Sequence, residues 1–295
     1  MLEHLNDANK PPSRVVVMGA GGFVGGAIAA RLAALGVPTL ALGRRDVDLE
    51  AVDGADRLAA ALRPGDSFVA VSALAPVKNL ELLARNITML RAMTEALRRA
   101  VPSHILNIGS DAVFADEPRP LNEATPKAPG SLHGVMHAAR EIAFTELGVP
   151  LATLRPTLIY GAADPHNGYG PNRFLRLAQA GKEIVLFGEG EERRDHVAVE
   201  DVADLAVRML LRRSRGSLNA ATGEVWSFRA AAELAVMLSG RPVAVTGSPR
   251  QGAMPHGGYR PFDPAATRAA FPDFRYTTLP DGLARMARAL ATPKP

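Results

Sequence analysis

The feature that most constrains this chain is a run of apolar residues followed by spaced glycines, at 15–25. Residues 15–18 are all apolar and predict a short buried strand, and the Ala- and Leu-rich stretch 23–35 predicts a helix. Because glycine carries no side chain, a phosphate can approach the backbone at such a turn and meet the amides at the helix start. The spacing, Gly19-x-x-Gly22-x-x-Gly25, differs from the simplest dinucleotide fingerprint. The stretch predicts a phosphate-binding turn, with an ordinary glycine-rich turn as the alternative.

The composition narrows the class of protein. A chain of 295 residues is long enough for one large domain or two modest ones with a substantial core. It contains no cysteine, which excludes disulfides and thiol chemistry. Residues 1–13 are polar and contain no apolar signal region, so we expect a flexible tail there, and no stretch reaches the length of a membrane span. These features favour a soluble cytoplasmic protein with no membrane partner.

The net charge of +4 comes mostly from arginine. The arginines are scattered through the predicted helices, without a basic run or interleaved aromatic residues. We therefore expect solvated helix faces and no nucleic-acid partner.

Strands and helices alternate through the first half of the chain. Predicted strands lie at 38–42, 67–71, 105–108 and 151–154, and the longer predicted helices lie at about 79–99 and 132–147. This alternation predicts an α/β fold with a Rossmann-like, doubly wound parallel sheet. Ligands of such sheets bind at the carboxyl ends of the strands, which here carry Gly22, Arg44, Ser72 and Ser110. A further short strand at 48–49 would place Asp48 near an adenine.

The end of the second strand, Gly43-Arg44-Arg45, bears on the choice of cofactor. In an NAD site an acidic residue at this place binds the ribose 2′-hydroxyl, and the same residue would repel a 2′-phosphate. Guanidinium groups pair with phosphate instead. The two arginines favour NADP over NAD, and a solvated pair of loop arginines is the alternative.

The second half of the chain is less regular. The loop 162–171, rich in Gly, Pro and Asn, marks the entry to a second region. We predict helices at 174–180, 199–211 and 227–238, strands at 183–187, 218–219 and 243–245, and two final helices near Pro264 and Leu279. Residues 14–165 and about 195–220 would form a dinucleotide-binding domain. Residues of about 166–194 and 221–295 would form a smaller, discontinuous C-terminal substrate-binding domain.

Several motifs follow one another along the chain: Gly-Ala-Gly-Gly-Phe-Val-Gly at 19–25, Asn86 in the long helix, Gly109-Ser110-Asp111-Ala112-Val113-Phe114, Arg155-Pro156-x-x-Ile159-Tyr160-Gly161, and Arg194-Asp195-His196-Val197-x-x-x-Asp201-Val202-Ala203. Their order and spacing resemble the extended short-chain dehydrogenase/reductase family, which includes nucleotide-sugar epimerases, dehydratases and 4-keto reductases. The resemblance covers nearly the whole chain from Arg14 onward. It implies a Rossmann domain, a smaller substrate domain, and a homodimer formed through the helices around 79–99 and 132–147.

The resemblance also implies a set of site residues. Those that would hold the cofactor are Gly19, Gly22, Phe23, Val24, Gly25, Arg44, Arg45, Asp48, Leu49, Ser72, Ala73, Leu74, His137 and Pro156. Those that would contact a nucleotide sugar are Asp111, Asn172, Arg173, Arg194 and Arg250, with surface salt bridges as the alternative role of the charged ones. Ser110 would polarise the substrate carbonyl, or else only cap a helix. The position of His196 is more typical of a residue that packs at a strand than of a catalytic residue.

The chain departs from the family pattern where catalysis would occur. Members of the family carry Tyr-x-x-x-Lys within Ser-x-Tyr-Gly-x-Ser-Lys-Ala-x-x-Glu. The corresponding segment here is Ser131-Leu132-His133-Gly134-Val135-Met136-His137-Ala138-Ala139-Arg140-Glu141. Gly134, Ala138 and Glu141 fix the register, so His133 stands at the tyrosine position and His137 at the lysine position.

Three interpretations of this pair remain open. Four residues apart on a helix, the two histidines share a face. His133 could act as the acid or base of a carbonyl reduction, since an unperturbed imidazole titrates near ~6.5. The pair could bind a metal, but there is no His-Glu-x-x-His motif and no clear third ligand, so we predict no metal. The dyad could also simply be lost.

We therefore expect an NADP(H)-dependent reductase or epimerase that acts on a nucleotide-linked sugar or a related carbonyl compound. Ala112 stands where the 4,6-dehydratases of the family carry glutamate, which disfavours dehydration. The alternative is a catalytically silent dinucleotide-binding or sensor protein of the same fold.

Overall fold

The computed structural model describes residues 2–291. The strands are β1 (Glu3–His4), β2 (Val15–Met18), β3 (Thr39–Leu42), β4 (Ser67–Ala70), β5 (His104–Ile108), β6 (Leu151–Pro156), β7 (Leu158–Tyr160), β8 (Ile184–Phe187), β9 (Arg193–Ala198), β10 (Ser214–Ala220), β11 (Val225–Ser227), β12 (Val245–Ser248) and β13 (Tyr259–Arg260). The helices are α1 (Phe23–Ala34), α2 (Gly54–Ala61), α3 (Leu80–Arg99), α4 (Leu132–Thr145), α5 (Pro171–Gln179), α6 (Val199–Leu211), α7 (Phe228–Ser239), α8 (Ala265–Ala270) and α9 (Leu279–Ala291).

Within residues 2–291, seven strands form a large sheet in the order β1-β10-β6-β5-β4-β2-β3. Neighbouring strands are parallel, except that β1 runs antiparallel to β10. The predicted doubly wound parallel sheet is confirmed. Along β2, Val15 and Val17 pack into a core shared with α1 and α6, while Val16 and Met18 pack into a second core shared with α2, α3 and α4. A continuous apolar run fits this strand because helices cover both faces of the sheet.

A smaller region follows the large sheet. In it β7, β9, β11 and β13 form a second sheet, and β8 pairs with β12. A third core cluster joins these strands to α5, α7 and α9 through residues such as Phe174, Phe228 and Leu283. All of these elements follow β6 in the chain, and β7 precedes the loop 162–171 at which the sequence analysis places the entry to a second region.

The N-terminal segment packs against the large sheet, where a flexible tail was expected. Glu3 and His4 pair with Arg215 and Ser214 as an antiparallel edge strand. The His4 Nδ1 atom also lies 2.8 Å from the Ser214 hydroxyl, so side-chain contacts add to the strand pairing.

Three local predictions differ from the structure. Residues 48–49 form a turn rather than a strand, because the Asp48 carboxylate accepts the Glu50 N–H at 3.0 Å. Helix α2 was not predicted; its Ala55 and Leu58 face the core. Strand β12 begins at Val245, where the strand predicted at 243–245 ends.

Two elements do not follow the domain boundaries expected from the sequence. Helix α8 packs against β10, and Phe271 and Phe274 belong to the core of the large sheet. Strand β9 lies in the smaller sheet, although it contains the start of the segment 195–220.

Candidate active site

The carboxyl ends of β2 to β6 open into one large cavity of about 1610 Å³. Most of the site residues expected from the sequence line it: Gly19, Gly22, Phe23, Val24, Arg44, Arg45, Asp48, Leu49, Ser72, Ala73, Leu74, Ser110, Asp111, His133, His137, Pro156, Asn172 and Arg194. Gly25, Arg173 and Arg250 do not line it. The sheet topology therefore brings together residues that lie up to 175 positions apart in sequence, from Gly19 to Arg194.

The glycine turn forms one end of the cavity. Gly19 has φ +104°, in the left-handed region, and a Cβ atom there would lie 2.7 Å from the Ser72 backbone nitrogen. A Cβ atom on Gly25 would clash with the Gly19 carbonyl oxygen, so Gly25 allows close packing of α1 on the turn rather than ligand contact. Helix α1 has Gly22 as its N-cap with no side-chain cap, which leaves its first amides free for a phosphate. This cradle fits the pyrophosphate of a dinucleotide.

After β3, charged residues of both signs line another part of the cavity. Arg44 is paired with Asp48 (3.2 Å) and lies 3.6 Å from Glu50. The Glu50 carboxylate also accepts from Arg85 at 2.7 Å. Arg45 is exposed and makes no ion pair with another residue of 2–291. Arg45 is thus the cation available to a ligand here, whereas Arg44 is already shared between two carboxylates.

The loop after β4 is held in place by an asparagine of α3. The buried Asn86 side chain accepts the Leu74 N–H (2.9 Å) and donates to the Leu74 carbonyl oxygen (3.1 Å). This pair of bonds fixes Ser72, Ala73 and Leu74 along the cavity wall. Pro156, at the end of β6, lies on the wall as well.

Ser110 follows β5 and lines the cavity. Its hydroxyl oxygen accepts the Ala112 N–H at 3.2 Å and so caps a short 3-10 turn, Asp111–Val113. The hydroxyl also donates to Asp111 Oδ1 at 3.4 Å, a long contact. The capping role and a role toward substrate are compatible, because the hydroxyl hydrogen can turn to a shorter acceptor.

His133 and His137 lie on the cavity side of α4, with ring centroids 4.7 Å apart and planes at 89°. Nδ1 of each ring is buried without a hydrogen-bond partner within residues 2–291, so Nε2 is the nitrogen that each ring presents to the cavity. Burial lowers the pKa of both imidazoles, and the nearby Arg140 lowers that of His137 further. Asp111 acts in the opposite direction on the pKa of His133, more weakly than burial. This environment therefore favours the neutral form of both rings more than water does.

A buried ion pair joins the loop after β5 to the C-terminal part of the chain. Arg260 Nε donates to Asp111 Oδ2 at 3.2 Å, and its Nη2 donates to the Asp111 carbonyl oxygen at 2.9 Å. Arg260 also pairs with Asp116, whose carboxylate lies 2.6 Å from His256 Nδ1. Asp111 is therefore both a cavity residue and the anchor of Arg260.

The other predicted substrate residues differ in their surroundings. Asn172 is buried, accepts the Gly161 N–H at 2.9 Å and donates to Asp164 at 2.7 Å, so it shapes the loop before α5. Arg194 lies on the cavity wall, paired with Glu192 at 3.0 Å. Arg173 points away from the cavity on the exposed side of α5, and Arg250 is directed to Glu191, Glu192 and the Phe187 carbonyl. The expected roles of Arg173 and Arg250 toward substrate have no support in this geometry.

Two arginines near the site were missed from the sequence. Arg140 is 2% exposed and reaches from α4 under the loop after β4, and Arg260 is equally buried. Their burial depends on partners 33 to 149 positions away, and no local pattern distinguishes them from solvated arginines. For Arg140 the one available signal was its spacing from His133 and His137, which puts all three on one helix face.

Two further properties concern residues 2–291. None of the helices there is both long and apolar enough to cross a membrane. No group of three or more His, Asp or Glu side chains in that range is arranged to hold a metal ion, and the His133–His137 pair gains no third ligand.

Comparison with protein families gives one match. The family model described as the NAD dependent epimerase/dehydratase family matches residues 15–221, which contain the large sheet from β2 to β10.

The curated proteins that are similar in sequence include an epimerase and a reductase. A UDP-glucose 4-epimerase from Mycolicibacterium smegmatis is 25% identical over 229 residues, which cover 66% of this chain and 72% of the epimerase. A dTDP-4-dehydro-6-deoxy-D-allose reductase from Streptomyces bikiniensis is 30% identical over 103 residues, 33% of this chain. That second match spans only 31% of the reductase.

Solved structures share the fold at low identity. UDP-glucose 4-epimerase from Thermus thermophilus, in complex with NAD, has a TM-score of 0.80 and 22% identity, covering 93% of this chain and 98% of the other. UDP-glucose 4-epimerase from Thermotoga maritima, with UDP-glucose, has a TM-score of 0.83 and 18% identity, covering 94% and 98%.

Proposed function

The chain belongs to the NAD-dependent epimerase/dehydratase family, within the extended short-chain dehydrogenases/reductases, and we propose that it is an NADP(H)-dependent reductase or epimerase of a nucleotide-linked sugar. The observation that carries the proposal is the meeting of Ser110, His133 and His137 on the wall of the cavity that begins at the glycine turn. These residues stand where the family has its serine, tyrosine and lysine. A hydroxyl donor and an imidazole at one place suit proton transfer at a substrate oxygen.

In this proposal the chain holds the dinucleotide through the amides at the start of α1 and the wall formed by Ser72, Ala73, Leu74 and Pro156. Arg45, and to a lesser extent Arg44, would bind the 2′-phosphate of NADP. The bound nicotinamide would supply or accept the hydride. The carboxylates of Asp48 and Glu50, which lie close to Arg44, work against a 2′-phosphate, so the unpaired Arg45 is the main support for NADP over NAD.

The proton step falls to residues of the chain itself. The Ser110 hydroxyl would hydrogen-bond the substrate oxygen, and Nε2 of His133 would exchange a proton with that oxygen. When an alcohol is oxidised, the hydroxyl proton passes to the imidazole; when a ketone is reduced, the imidazolium returns it to the new hydroxyl group. His137 would orient His133 through the edge-to-face contact at 4.7 Å and would contact the ribose of the cofactor.

The substrate class rests on the relatives and on the far end of the cavity. Relatives named as acting on UDP-glucose and on a dTDP-4-keto sugar support a nucleotide sugar. Beyond the histidine pair the cavity continues to Asn172 and Arg194, which would contact the nucleotide part.

The alternative from a different functional class is a catalytically silent protein that binds a dinucleotide. The capping contacts of Ser110 and the absence of a tyrosine–lysine dyad favour it. The experiment is to incubate the protein with NADP⁺ or NAD⁺ and a UDP-hexose, and with NADPH and a dTDP-4-keto-6-deoxy sugar, while calorimetry measures cofactor binding. Turnover of either sugar supports the enzyme. NADPH binding without turnover of any sugar nucleotide supports the silent binder.

We also propose a homodimer that forms through α3 and α4. These helices pack side by side, and Ile87 and Ile142 on them are 41% and 63% exposed. Apolar side chains on adjacent helices suit a helix-to-helix contact with a second copy. Sedimentation of the parent and of Ile142→Glu tests this, since the variant should be monomeric.

A further inference from the structure

Arg140 places a positive charge inside the active-site wall. Its side chain is 2% exposed. The guanidinium donates to the carbonyl oxygens of Ser72 (2.5 Å) and Ala70 (2.8 Å) and to Asn107 Oδ1 (3.1 and 3.3 Å). Each of these acceptors is uncharged. Ser72 lines the cavity, so the charge lies directly under the cavity floor, at the carboxyl ends of β4 and β5.

This guanidinium has no counter-ion in the part of the chain that the structure describes. The neighbouring carboxylate on α4, Glu141, is bound by Arg155 through two bonds (2.7 and 2.8 Å) and by Lys127 at 2.9 Å. The carboxylate of Asp111 is bound by Arg260 at 3.2 Å. A buried charge without an opposite partner costs free energy, and such groups occur mainly where the charge serves a function. Burial lowers the pKa of Arg140 to about 10, so the guanidinium stays protonated at neutral pH.

Arg140 shares a helix face with the histidine pair, three residues after His137 and seven after His133. The other charged groups around the pair are Asp111, which is paired with Arg260 and still acts to raise the pKa of His133, and Glu141, Arg155 and Lys127, which neutralise one another in part. Helix α3 packs against α4 and contributes apolar residues, among them Met89 and Met93, to the core on that side of the large sheet. Burial is the larger cause of the lowered pKa of His137, and the unbalanced charge of Arg140 adds to it.

We propose that Arg140 is a positioning residue that keeps His137 neutral, so that of the two rings His133 is the one that accepts a proton from a substrate hydroxyl. The inference rests on the proposed function and deepens it. A neutral imidazole suits a substrate that enters as an alcohol, as in epimerisation, where the proton taken up in the oxidative half-reaction returns in the reductive half-reaction. A separate reductase would need the imidazolium at the start. The same charge stabilises the alkoxide that forms when the hydroxyl group loses its proton.

The test measures the histidine protonation directly and needs no substrate. Ring carbon signals of the full-length protein are followed by NMR from pH 5 to 8, with His133→Gln and His137→Gln used for assignment. In the parent both residues should titrate below 6.5. In Arg140→Gln the pKa of His137 should rise by about one unit or more, a tenfold or greater gain in proton affinity. In Arg140→Lys, which keeps the charge, it should stay low.

Several results would overturn the proposal. One is an unchanged His137 titration in Arg140→Gln whose circular dichroism and thermal melting match those of the parent. If Arg140→Gln does not fold, Arg140→Met, an uncharged side chain of similar length, replaces it: a raised His137 pKa supports the proposal and an unchanged one overturns it. Titration of His137 at or above 6.5 in the parent contradicts the proposal on its own. Titrations as expected, without oxidation of any sugar nucleotide, would contradict the proposed enzyme and leave the charge assignment standing.

Discussion

The rings of His133 and His137 meet edge to face, with their centroids 4.7 Å apart and their planes at 89°. No carboxylate within residues 2–291 accepts a hydrogen bond from either ring, and each Nδ1 is buried without a partner. An imidazolium needs acceptors on both nitrogens, so this contact favours two neutral rings. The pair therefore differs from a tyrosine–lysine dyad in charge as well as in chemistry.

The first prediction concerns the cofactor. NADPH should bind at least about tenfold more tightly than NADH, because charge-assisted hydrogen bonds to a phosphate contribute about 1.5–3 kcal/mol each. Arg45→Ala should lose more of this preference than Arg44→Ala, since Arg44 is already shared with Asp48 and Glu50. The double variant should bind both cofactors equally. Calorimetry measures the affinities, and Arg173→Ala, on the exposed side of α5, is the matched control. Equal affinities of the parent for NADPH and NADH would contradict the prediction.

The second prediction concerns the pair formed by Asp111 and Arg260. Asp111→Asn should reduce the free energy of unfolding by about 3 kcal/mol, because it leaves a buried guanidinium short of its buried counter-ion. Asp116→Asn removes the exposed partner of the same arginine and should cost less than about 1 kcal/mol. Urea denaturation of both variants gives the comparison. Equal losses would mean that the Asp111 contact does not anchor Arg260.

How much of this site could be predicted from the sequence depends on which of its contacts are local. The alternation of strands and helices predicted that Gly22, Arg44, Ser72 and Ser110 would meet, because the carboxyl ends of parallel strands share one edge of the sheet. All four line the cavity. The substitution of two histidines for the dyad was also visible, since Gly134 and its neighbours fixed the register.

The remainder depended on packing that no local pattern encodes. Arg260 meets Asp111 across 149 positions, from a stretch broken by glycine and proline. Arg173 was expected near the substrate from its position alone, but the turn of α5 that buries Asn172 and Phe174 leaves Arg173 outside. The lowered pKa values of the histidines follow mainly from burial, which is a tertiary property and could not be known from the sequence.

The third prediction concerns His196, whose two ring nitrogens are buried without partners against Phe228. His196→Phe should stabilise the fold at pH 7.5 by about 1–2 kcal/mol, since it removes unpaired polar atoms. Burial lowers the pKa of His196 to about 3. Below its ordinary pKa of about 6.5 the unfolded chain binds a proton that the folded protein does not, so the parent loses stability as the pH falls from 6.5 toward 3.

The gain from His196→Phe should therefore grow by up to about 1.4 kcal/mol for each pH unit below 6.5. Urea denaturation at pH 7.5, 6 and 5 measures it. The control is Met237→Phe, at an exposed position without a titratable side chain, whose effect should be independent of pH. A gain that stays constant between pH 7.5 and 5 would contradict the buried neutral state of His196.

The most direct test of the account is the rate of His133→Ala on a sugar nucleotide that the parent turns over. Loss of one acid–base group should lower kcat/KM by about 10²–10⁴-fold. The double variant His133→Tyr with His137→Lys should regain activity, because the surrounding segment has the register of the tyrosine–lysine dyad. Glu146→Gln, at the C-cap of α4, should match the parent. A rate for His133→Ala equal to that of the parent would show that His133 is not the catalytic acid or base.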